Sequence, residues 1–330
     1  MTSFPEDPED STAVLADAAR ASLLAPSVFN TQPWRWRIAG DTMELSADPG
    51  RRLDATDPEG RMLVLSCGGA LHHALTALAA AGWGATVERI PEEGRPELLA
   101  RVRRGAAAPP DPQARTLVDA MPRRRTDRRA FGDKPVPDAV LSALRQAVEQ
   151  QGAYLHVVRR DQVPLLAVSA ERAAAAELSD PAYREELYRW THRPEGSGDG
   201  VPLATAVEQV LRRVPVRDYT PDSRAGLAAG EDVDRGAAFV MIFGMSDRPV
   251  DLLRGGEATS ALLLGATAEG LATAPLSNAV EVAWPRRLLR DLLSGVGEPY
   301  VVVRLGFVES GEPLPAAPRR DPADVITIER

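Results

Sequence analysis

The sequence has very little cysteine or histidine. Cys67 is the one cysteine in 330 residues, so an internal disulfide and a zinc site built from several thiolates are both excluded. Two of the four histidines, His72 and His73, are neighbours on a predicted helix and should face different directions, which makes them a poor metal pair. The sequence therefore predicts no metal centre.

Long apolar runs and an excess of positive charge are also missing. The apolar stretch 70–83 is interrupted by histidine and threonine and is too short to span a membrane. Residues 1–10 are acidic and contain proline, unlike a signal peptide. The formal net charge of −8 argues against a general nucleic-acid partner. We expect a cytoplasmic protein with no membrane and no nucleic-acid partner.

The length and composition indicate two domains. Hydrophobic residues make up 44% of the chain and charged residues 26%, as in ordinary globular proteins. A chain of 330 residues is long for one core and comfortable for two. The Ala/Pro stretch 105–112 is a candidate linker. It predicts an N-terminal half, 1–112, and a C-terminal half, 113–330.

Hydrophobic periodicity predicts helices and strands in both halves. The predicted helices span 12–24, 68–82, 113–121, 137–150, 162–178 and 255–270. The predicted strands span 34–38, 42–47, 85–90, 99–103, 153–159, 237–244 and 300–307. The helices 68–82 and 256–270 are both bounded by glycine, rich in alanine and leucine, and equal in length, which indicates an internal duplication.

Residues 180–235 have no counterpart in the first half. Prolines and glycines break this insertion into short pieces, and it carries bulky side chains such as Trp190 and Tyr219. Long irregular segments of this kind often act as lids over a binding site. We expect the insertion to be a lid.

Two short segments carry the chemistry. Residues 26–34 read Pro-Ser-Val-Phe-Asn-Thr-Gln-Pro-Trp, and 123–129 read Arg-Arg-Arg-Thr-Asp-Arg-Arg. In an extended loop, Arg124, Thr126 and Arg128 point the same way and can hold a phosphate with guanidinium and hydroxyl groups. A solvated charge run, or a patch for an acidic partner, is the alternative interpretation of this arginine segment.

These two segments resemble signature segments of the FMN-dependent nitroreductases, in which the arginine segment comes first and the Ser-x-x-Asn-x-Gln-Pro-Trp segment follows. The inverted order here looks most like the Acg-like subfamily of NAD(P)H nitroreductases. The resemblance implies an α+β class and the nitroreductase fold. It also implies two nitroreductase-like halves, with antiparallel-type central sheets flanked by helices, fused as a pseudo-dimer.

The resemblance also implies a set of FMN-binding residues. The first half would supply Ser27, Asn30 and Gln32, with the Asn30 amide on an edge of the flavin ring. The second half would supply Arg124, Thr126 and Arg128 for the phosphate. A loop after the second repeated helix and a basic pair in the tail complete the set: Pro275, Leu276, Ser277, Asn278, Arg319 and Arg320. No side-chain acid or base is implied, because the flavin carries the chemistry.

The implied function is transfer of hydride from NADPH or NADH through FMN to a nitroaromatic or quinone-like acceptor. The chain would be a monomer that forms an internal pseudo-dimer, or a homodimer. An FMN storage or sequestering protein with a closed lid and little turnover is the alternative. A flavin enzyme of another type, such as a flavin-cleaving or dehalogenating relative, is a third, weaker interpretation.

Overall fold

The computed structural model describes residues 8–221, 223–230, 233–308 and 313–329. The helices are α1 (Pro8–Ser22), α2 (Arg61–Ala80), α3 (Pro112–Ala120), α4 (Asp138–Gln150), α5 (Val163–Ser179), α6 (Pro181–Thr191), α7 (Pro249–Ala268), α8 (Asn278–Glu281), α9 (Ala283–Leu292) and α10 (Pro322–Val325). The strands are β1 (Trp34–Ala39), β2 (Thr42–Ala47), β3 (Trp83–Arg89), β4 (Leu98–Ala107), β5 (Tyr154–Val157), β6 (Ala238–Gly244), β7 (Ala272–Leu276), β8 (Glu298–Gly306) and β9 (Ile326–Glu329). The predicted α+β class is confirmed.

The strands form two sheets with helices packed on them. The first sheet has the order β3-β4-β2-β1-β9, and the second has the order β5-β6-β8-β7. The pairings are antiparallel except that β9 runs parallel to β1. Along β1, Trp34, Trp36 and Ile38 are buried and the residues between them are exposed, because alternate side chains of a strand face opposite sides of the sheet.

Helices α2 and α7 cross at the centre of the molecule, where two glycines bring their backbones into contact. A Cβ on Gly68 would lie 2.0 Å from the Leu253 carbonyl oxygen, and a Cβ on Gly256 would lie 1.9 Å from the Leu65 carbonyl oxygen. The two glycines occupy corresponding places in the two repeated helices. The reciprocal contact is what a pseudo-two-fold axis between two halves requires.

Each half also contributes to the core of the other. Met62 and Leu65 of α2 belong to the apolar cluster around the second sheet, and Leu253 of α7 belongs to the cluster around the first. The chain returns to the first half at its end, because β9 pairs with β1. The division at residue 112 stays a prediction.

Among the described residues, α2 is the one helix long and apolar enough to cross a membrane. Its mean hydropathy over the best window is 1.4, and 72% of that window is buried within the protein. This burial is what a central core helix shows.

Candidate functional site

The main cavity lies between the two halves, beside the crossing of α2 and α7. Its volume is about 420 Å³, within the range of small-molecule sites. One wall is apolar and includes Met62, Leu65, Leu263 and Val301. The polar side chains that line the cavity come from both halves: Ser27, Asn30, Ser66, Arg124, Arg125, Thr126, Arg128, Thr205, Thr259, Ser260, Ser277 and Arg319.

The segment 26–34 forms one edge of the cavity through a strained turn. Phe29, Asn30 and Gln32 have φ values of 50°, 53° and 49°. Such left-handed conformations are costly for residues other than glycine and persist only where surrounding contacts hold them. The backbone N–H of Gln32 donates to the Ser27 hydroxyl at 2.9 Å, which closes the turn. Trp34 then starts β1 in the core.

Asn30 fastens this turn to the insertion and to the tail. Its Nδ2 donates to the carbonyl oxygens of Gly200 (3.1 Å) and Pro318 (3.0 Å). Its Oδ1 accepts from Nη1 of Arg319 at 2.7 Å. The Asn30 amide is therefore engaged with protein partners, although the residue borders the cavity.

Gln32 also fastens the turn to the insertion and the tail, although it does not line the cavity. Its Nε2 donates to the Gly198 carbonyl at 2.8 Å, and its Oε1 accepts from the backbone N–H of Arg320 at 3.1 Å. The Arg320 guanidinium donates to the carbonyl oxygens of Gln32 and Asp324. Gln32 and Arg320 thus join the turn, insertion and tail without lining the cavity.

Three arginines meet at the cavity with incomplete hydrogen bonding. Within the described part of the chain, Nε and Nη1 of Arg124, Nε of Arg125 and Nε of Arg319 are buried without a partner. Burial lowers the pKa of Arg124 to about 9, with further lowering by the charges of Arg319 and Arg125. Burial and then the Arg125 charge lower the pKa of Arg319 to about 10. Among the described residues, no carboxylate lies within ion-pair distance of these guanidinium groups. The cluster is arranged for an anion.

A buried ion pair positions the arginine segment. Arg304 of β8 pairs with Asp234 at 2.7 and 2.8 Å, and both residues are fully buried. Nη2 of Arg304 donates to the carbonyl oxygens of Asp127 (3.1 Å) and Arg129 (2.7 Å). Asp234 accepts from the backbone N–H of Phe131 at 2.7 Å. Sequence reasoning missed this pair; an arginine inside an otherwise apolar strand was the available signal.

Thr126 and Arg128 also face the cavity. Thr126 forms a β-bridge with Thr273, which brings the arginine segment beside β7. The Arg128 guanidinium lies over the ring of Tyr219, 4.3 Å from its centre, in a cation–π contact. The predicted alternation of these residues therefore brings Arg124, Thr126 and Arg128 to one cavity.

The segment 275–278 is divided between two cavities. Pro275 and Ser277 line the main one. Leu276 and Asn278 line a smaller, neighbouring cavity of about 10 Å³, and Pro275 and Ser277 border this cavity as well. Of the twelve residues predicted for the site, eight line the main cavity: Ser27, Asn30, Arg124, Thr126, Arg128, Pro275, Ser277 and Arg319. The other four lie next to it: Gln32, Leu276, Asn278 and Arg320.

The insertion forms part of the wall. Gly200, Val201, Pro202, Thr205 and Tyr219 line the main cavity. Trp190 does not; it belongs to the same apolar cluster as Tyr219 and lies beneath the guanidinium groups of Arg51 and Arg193. Of the two bulky residues singled out in the sequence, Tyr219 borders the cavity and Trp190 packs in the apolar cluster next to it.

The two adjacent histidines are buried beside Ser260, which lines the cavity. Nδ1 of His72 and Nδ1 of His73 lie 2.8 and 2.9 Å from the Ser260 hydroxyl, so the two rings converge instead of facing different directions. Burial lowers the pKa of His72 to about 4 and the pKa of His73 well below its ordinary value. Both are neutral at physiological pH. The described residues contain no cluster of three or more metal-ligating side chains.

The chain was compared with known families and proteins. No family model matches it. It is 37% identical to a Mycobacterium tuberculosis protein named "Putative NAD(P)H nitroreductase Rv3131", over 98% of this chain and 93% of that protein. It is 36% identical to the M. tuberculosis "Putative NAD(P)H nitroreductase acg", over 96% of each chain.

The chain was also compared with solved structures. A nitroreductase with bound FMN from Desulfitobacterium hafniense is 14% identical, with a TM-score of 0.41, and the match covers 65% of this chain and 98% of that one. The FMN-dependent nitroreductase NfnB from Mycobacterium smegmatis, in complex with NADPH, is 17% identical, with a TM-score of 0.38 and coverage of 66% and 100%.

Proposed function

Because the chain belongs to the family of its mycobacterial relatives named as NAD(P)H nitroreductases, we propose that it is an FMN-binding oxidoreductase. It takes hydride from NADPH or NADH and passes it through FMN to a nitroaromatic or quinone-like acceptor. The observation that carries the proposal is the cluster of Arg124, Arg125 and Arg319, whose buried N–H groups face a cavity between the two halves without a partner among the described residues.

The residues present fit both the phosphate end and the ring end of FMN. A dianionic phosphate would satisfy the buried guanidinium nitrogens and restore the ordinary pKa of Arg124. The hydroxyl groups of Ser27 and Thr126 line the same cavity and can donate to phosphate oxygens. The apolar wall and the volume of about 420 Å³ suit a flat ring system.

FMN, when bound, supplies the two-electron redox chemistry. The residues of the chain would bind FMN, orient it and shield it from water. Arg304 and Asp234 hold the backbone of the arginine segment, so that its side chains would be positioned before the ligand binds. Asn30 holds the insertion against the turn at 26–34, which limits the access of water to the cavity. No side chain has to exchange a proton with the acceptor, which agrees with buried, neutral His72 and His73.

The proposal is tested on purified protein reconstituted with FMN. We expect one flavin per chain and anaerobic bleaching of the yellow colour by NADPH or NADH. We also expect a monomer in light scattering, because one chain builds the whole cavity. Absence of FMN binding after reconstitution would refute the proposal. A flavin content that follows dimer formation on dilution would refute a site built within one chain.

A second candidate function is FMN storage. It is favoured by the hydrogen bonds from Asn30 and Gln32 that tie the insertion to the turn, at Gly200 and Gly198. Replacing residues 190–202 with a short Gly/Ser linker distinguishes the two. Rapid reduction of the parent protein supports the oxidoreductase, whereas reduction only in the linker variant supports storage. Equal flavin accessibility in both would show that the insertion is not a lid.

A further inference from the structure

The main cavity carries charge of one sign. Four arginines line it, and none of the described residues that line it is an aspartate or a glutamate. These cavity arginines are Arg124, Arg125, Arg128 and Arg319. The lowered pKa values of Arg124 and Arg319, about 9 and about 10, still leave both groups protonated at neutral pH. The cavity wall therefore holds four formal positive charges, in a chain whose formal net charge is −8.

Elsewhere in the described part of the chain, partly or fully buried arginines are paired with carboxylates. Such pairs are Arg51 with Asp199, Arg61 with Asp247, Arg89 with Glu257 and Arg304 with Asp234. The cavity arginines form no ion pair with a described residue. Instead, Nη1 of Arg125 donates to the carbonyl oxygens of Pro122 (2.7 Å) and Arg124 (2.8 Å), and Arg128 lies over the Tyr219 ring. Carbonyl groups and an aromatic face orient a guanidinium group without neutralising its charge.

FMN would offset only part of this charge. Its phosphate carries about two negative charges at neutral pH, so a loaded cavity keeps about two positive charges without a counter-ion. Unpaired charges in a partly buried cleft are costly, and they raise the local concentration of anions. In the proposed function the acceptor enters this cavity after the donor has left. The acceptor is therefore the ligand that meets the remaining charge.

The remaining charge is within reach of such a ligand. Arg124 is the most deeply buried of the cavity arginines, at 5% exposure, whereas Arg125 and Arg128 are half-buried. Pro315 and Ala316 of the tail also line the cavity and are exposed, so the cavity reaches the molecular surface. Arg125 is not among the residues that the family resemblance assigns to FMN. It is thus a cavity cation whose role is still open.

We propose that the acceptor is itself an anion, a nitroaromatic or quinone-like compound that carries a carboxylate or a similar acidic group, and that Arg125 helps to select it. This inference rests on the proposed function. A guanidinium group binds a carboxylate through charge-assisted hydrogen bonds. NADPH and NADH both carry a diphosphate, so the same charge favours either donor. Neutral and anionic acceptors, in contrast, are distinguished by it.

The test compares benzoate with benzamide, two probes of similar size that differ in charge. Each is titrated into FMN-loaded, oxidised protein, and binding is followed by the change in flavin absorbance. We expect benzoate to bind at least about tenfold more tightly, and the difference to shrink at high salt concentration. In turnover with NADPH, 4-nitrobenzoate should exceed 4-nitrobenzamide in kcat/KM by a similar factor.

Three variants, each saturated with FMN, test the role of Arg125. Arg125→Gln should reduce the preference for benzoate at least about threefold, whereas Arg125→Lys keeps the charge and should retain most of it. Arg123→Gln is the control, because Arg123 is exposed and does not line the cavity. An unchanged preference in Arg125→Gln would overturn the role of Arg125. If that variant does not fold, the salt dependence of benzoate binding to the parent decides.

Equal binding of the two probes, or tighter binding of benzamide, by a parent that holds FMN and is reduced by NADPH would overturn this inference and leave the proposed function standing. A parent that binds no FMN would instead refute the proposed function. The two failures are therefore distinguishable.

Discussion

At the scale of single residues, the site is defined by side chains whose hydrogen bonds are incomplete. The buried guanidinium of Arg124 has a lowered pKa and lacks partners among the described residues, while Arg123, one position earlier, is exposed and donates to the Asp119 carbonyl. Neighbouring arginines in one run therefore have different surroundings. Only the local fold separates the arginines that line the cavity from the solvated ones.

Replacing an arginine that faces the cavity should weaken FMN binding. We expect Arg124→Ala and Arg128→Ala each to lower the affinity about ten- to a hundredfold, because one guanidinium–phosphate contact contributes roughly 1.5–3 kcal/mol. Titration of flavin-free protein with FMN measures this. Arg123→Ala is the control and should bind FMN like the parent. Unchanged affinity in both cavity variants would contradict the phosphate assignment.

At the scale of elements, the insertion is held by contacts that its glycines permit. Gly198 has φ +70°, and a Cβ there would lie 2.4 Å from the Arg319 carbonyl oxygen. Gly196 has φ +79°, and a Cβ there would have no described neighbour within 4 Å outside the adjacent residues, so it carries the same backbone preference without the close contact. Substitutions at Gly198 and Gly196 can therefore distinguish the effect of backbone strain from the loss of the contact between the insertion and the tail.

Gly198→Ala should therefore loosen the insertion against the tail. We expect faster FMN dissociation and stronger quenching of flavin fluorescence by iodide than in the parent. Gly196→Ala should cost roughly 1 kcal/mol of stability through its left-handed backbone and leave both flavin measurements unchanged. Identical quenching in the two variants would argue against closure by this segment.

A second anchor of the insertion depends on pH. Arg217 of the insertion pairs with Glu177 of α5 and Glu281 of α8, and all three are buried. Burial raises the pKa of Glu177 from 4.5 to about 8; Arg217 opposes this rise and Glu281 adds to it. The folded protein thus keeps a proton that the unfolded chain releases near pH 4.5. The contribution of Glu177 to the free energy of unfolding is therefore highest below that pH and falls as the pH rises towards 8.

Denaturant unfolding at several pH values tests this anchor. Between pH 5 and 8 we expect the parent to lose at least about 1 kcal/mol of unfolding free energy through Glu177. Glu177→Gln should remove this part of the pH dependence. Glu171→Gln, at an exposed position of the same helix, should keep it. The same pH slope in parent and Glu177→Gln would show that Glu177 is not the titrating group.

At the scale of the whole molecule, the cavity exists because two halves are held closely together. The crossing of α2 and α7 brings their backbones into contact at Gly68 and Gly256, and each core contains side chains from the other half. A change at the crossing should therefore affect both halves at once, and the cavity with them.

Gly68→Ala should destabilise the protein by at least about 2 kcal/mol, because its Cβ would meet backbone that cannot move independently. Gly69→Ala is the matched control on the next residue. Its Cβ would meet neighbours at 3.8 and 3.9 Å, so we expect a gain of roughly 0.5–1 kcal/mol from helix propensity. Thermal unfolding compares the two. Equal stability of both variants would contradict a close-packed crossing.

The elements with strong local patterns could be predicted from the sequence. The strands at 34–38 and 42–47 and the helices α3, α4 and α5 were found within about two residues. The prediction did not include α9 or β9, and α6 was interpreted as part of an irregular insertion. The strand β9 is short and exposed, and it exists because β1 offers an unpaired edge, which no local pattern reveals.

The sequence alone determined the family and the alternation of Arg124, Thr126 and Arg128, and it predicted the set of site residues, because these depend on residue identity and short spacing. The tertiary structure decided which amides and guanidinium groups are engaged. Asn30 lies in the turn 26–34 and Asn278 begins α8, and they are the same residue type. Yet the Asn30 amide is hydrogen-bonded by the insertion and tail, whereas the Asn278 amide has no partner among the described residues. Hydrogen-bond satisfaction depends on groups brought together from distant parts of the chain, so only the folded molecule determines it.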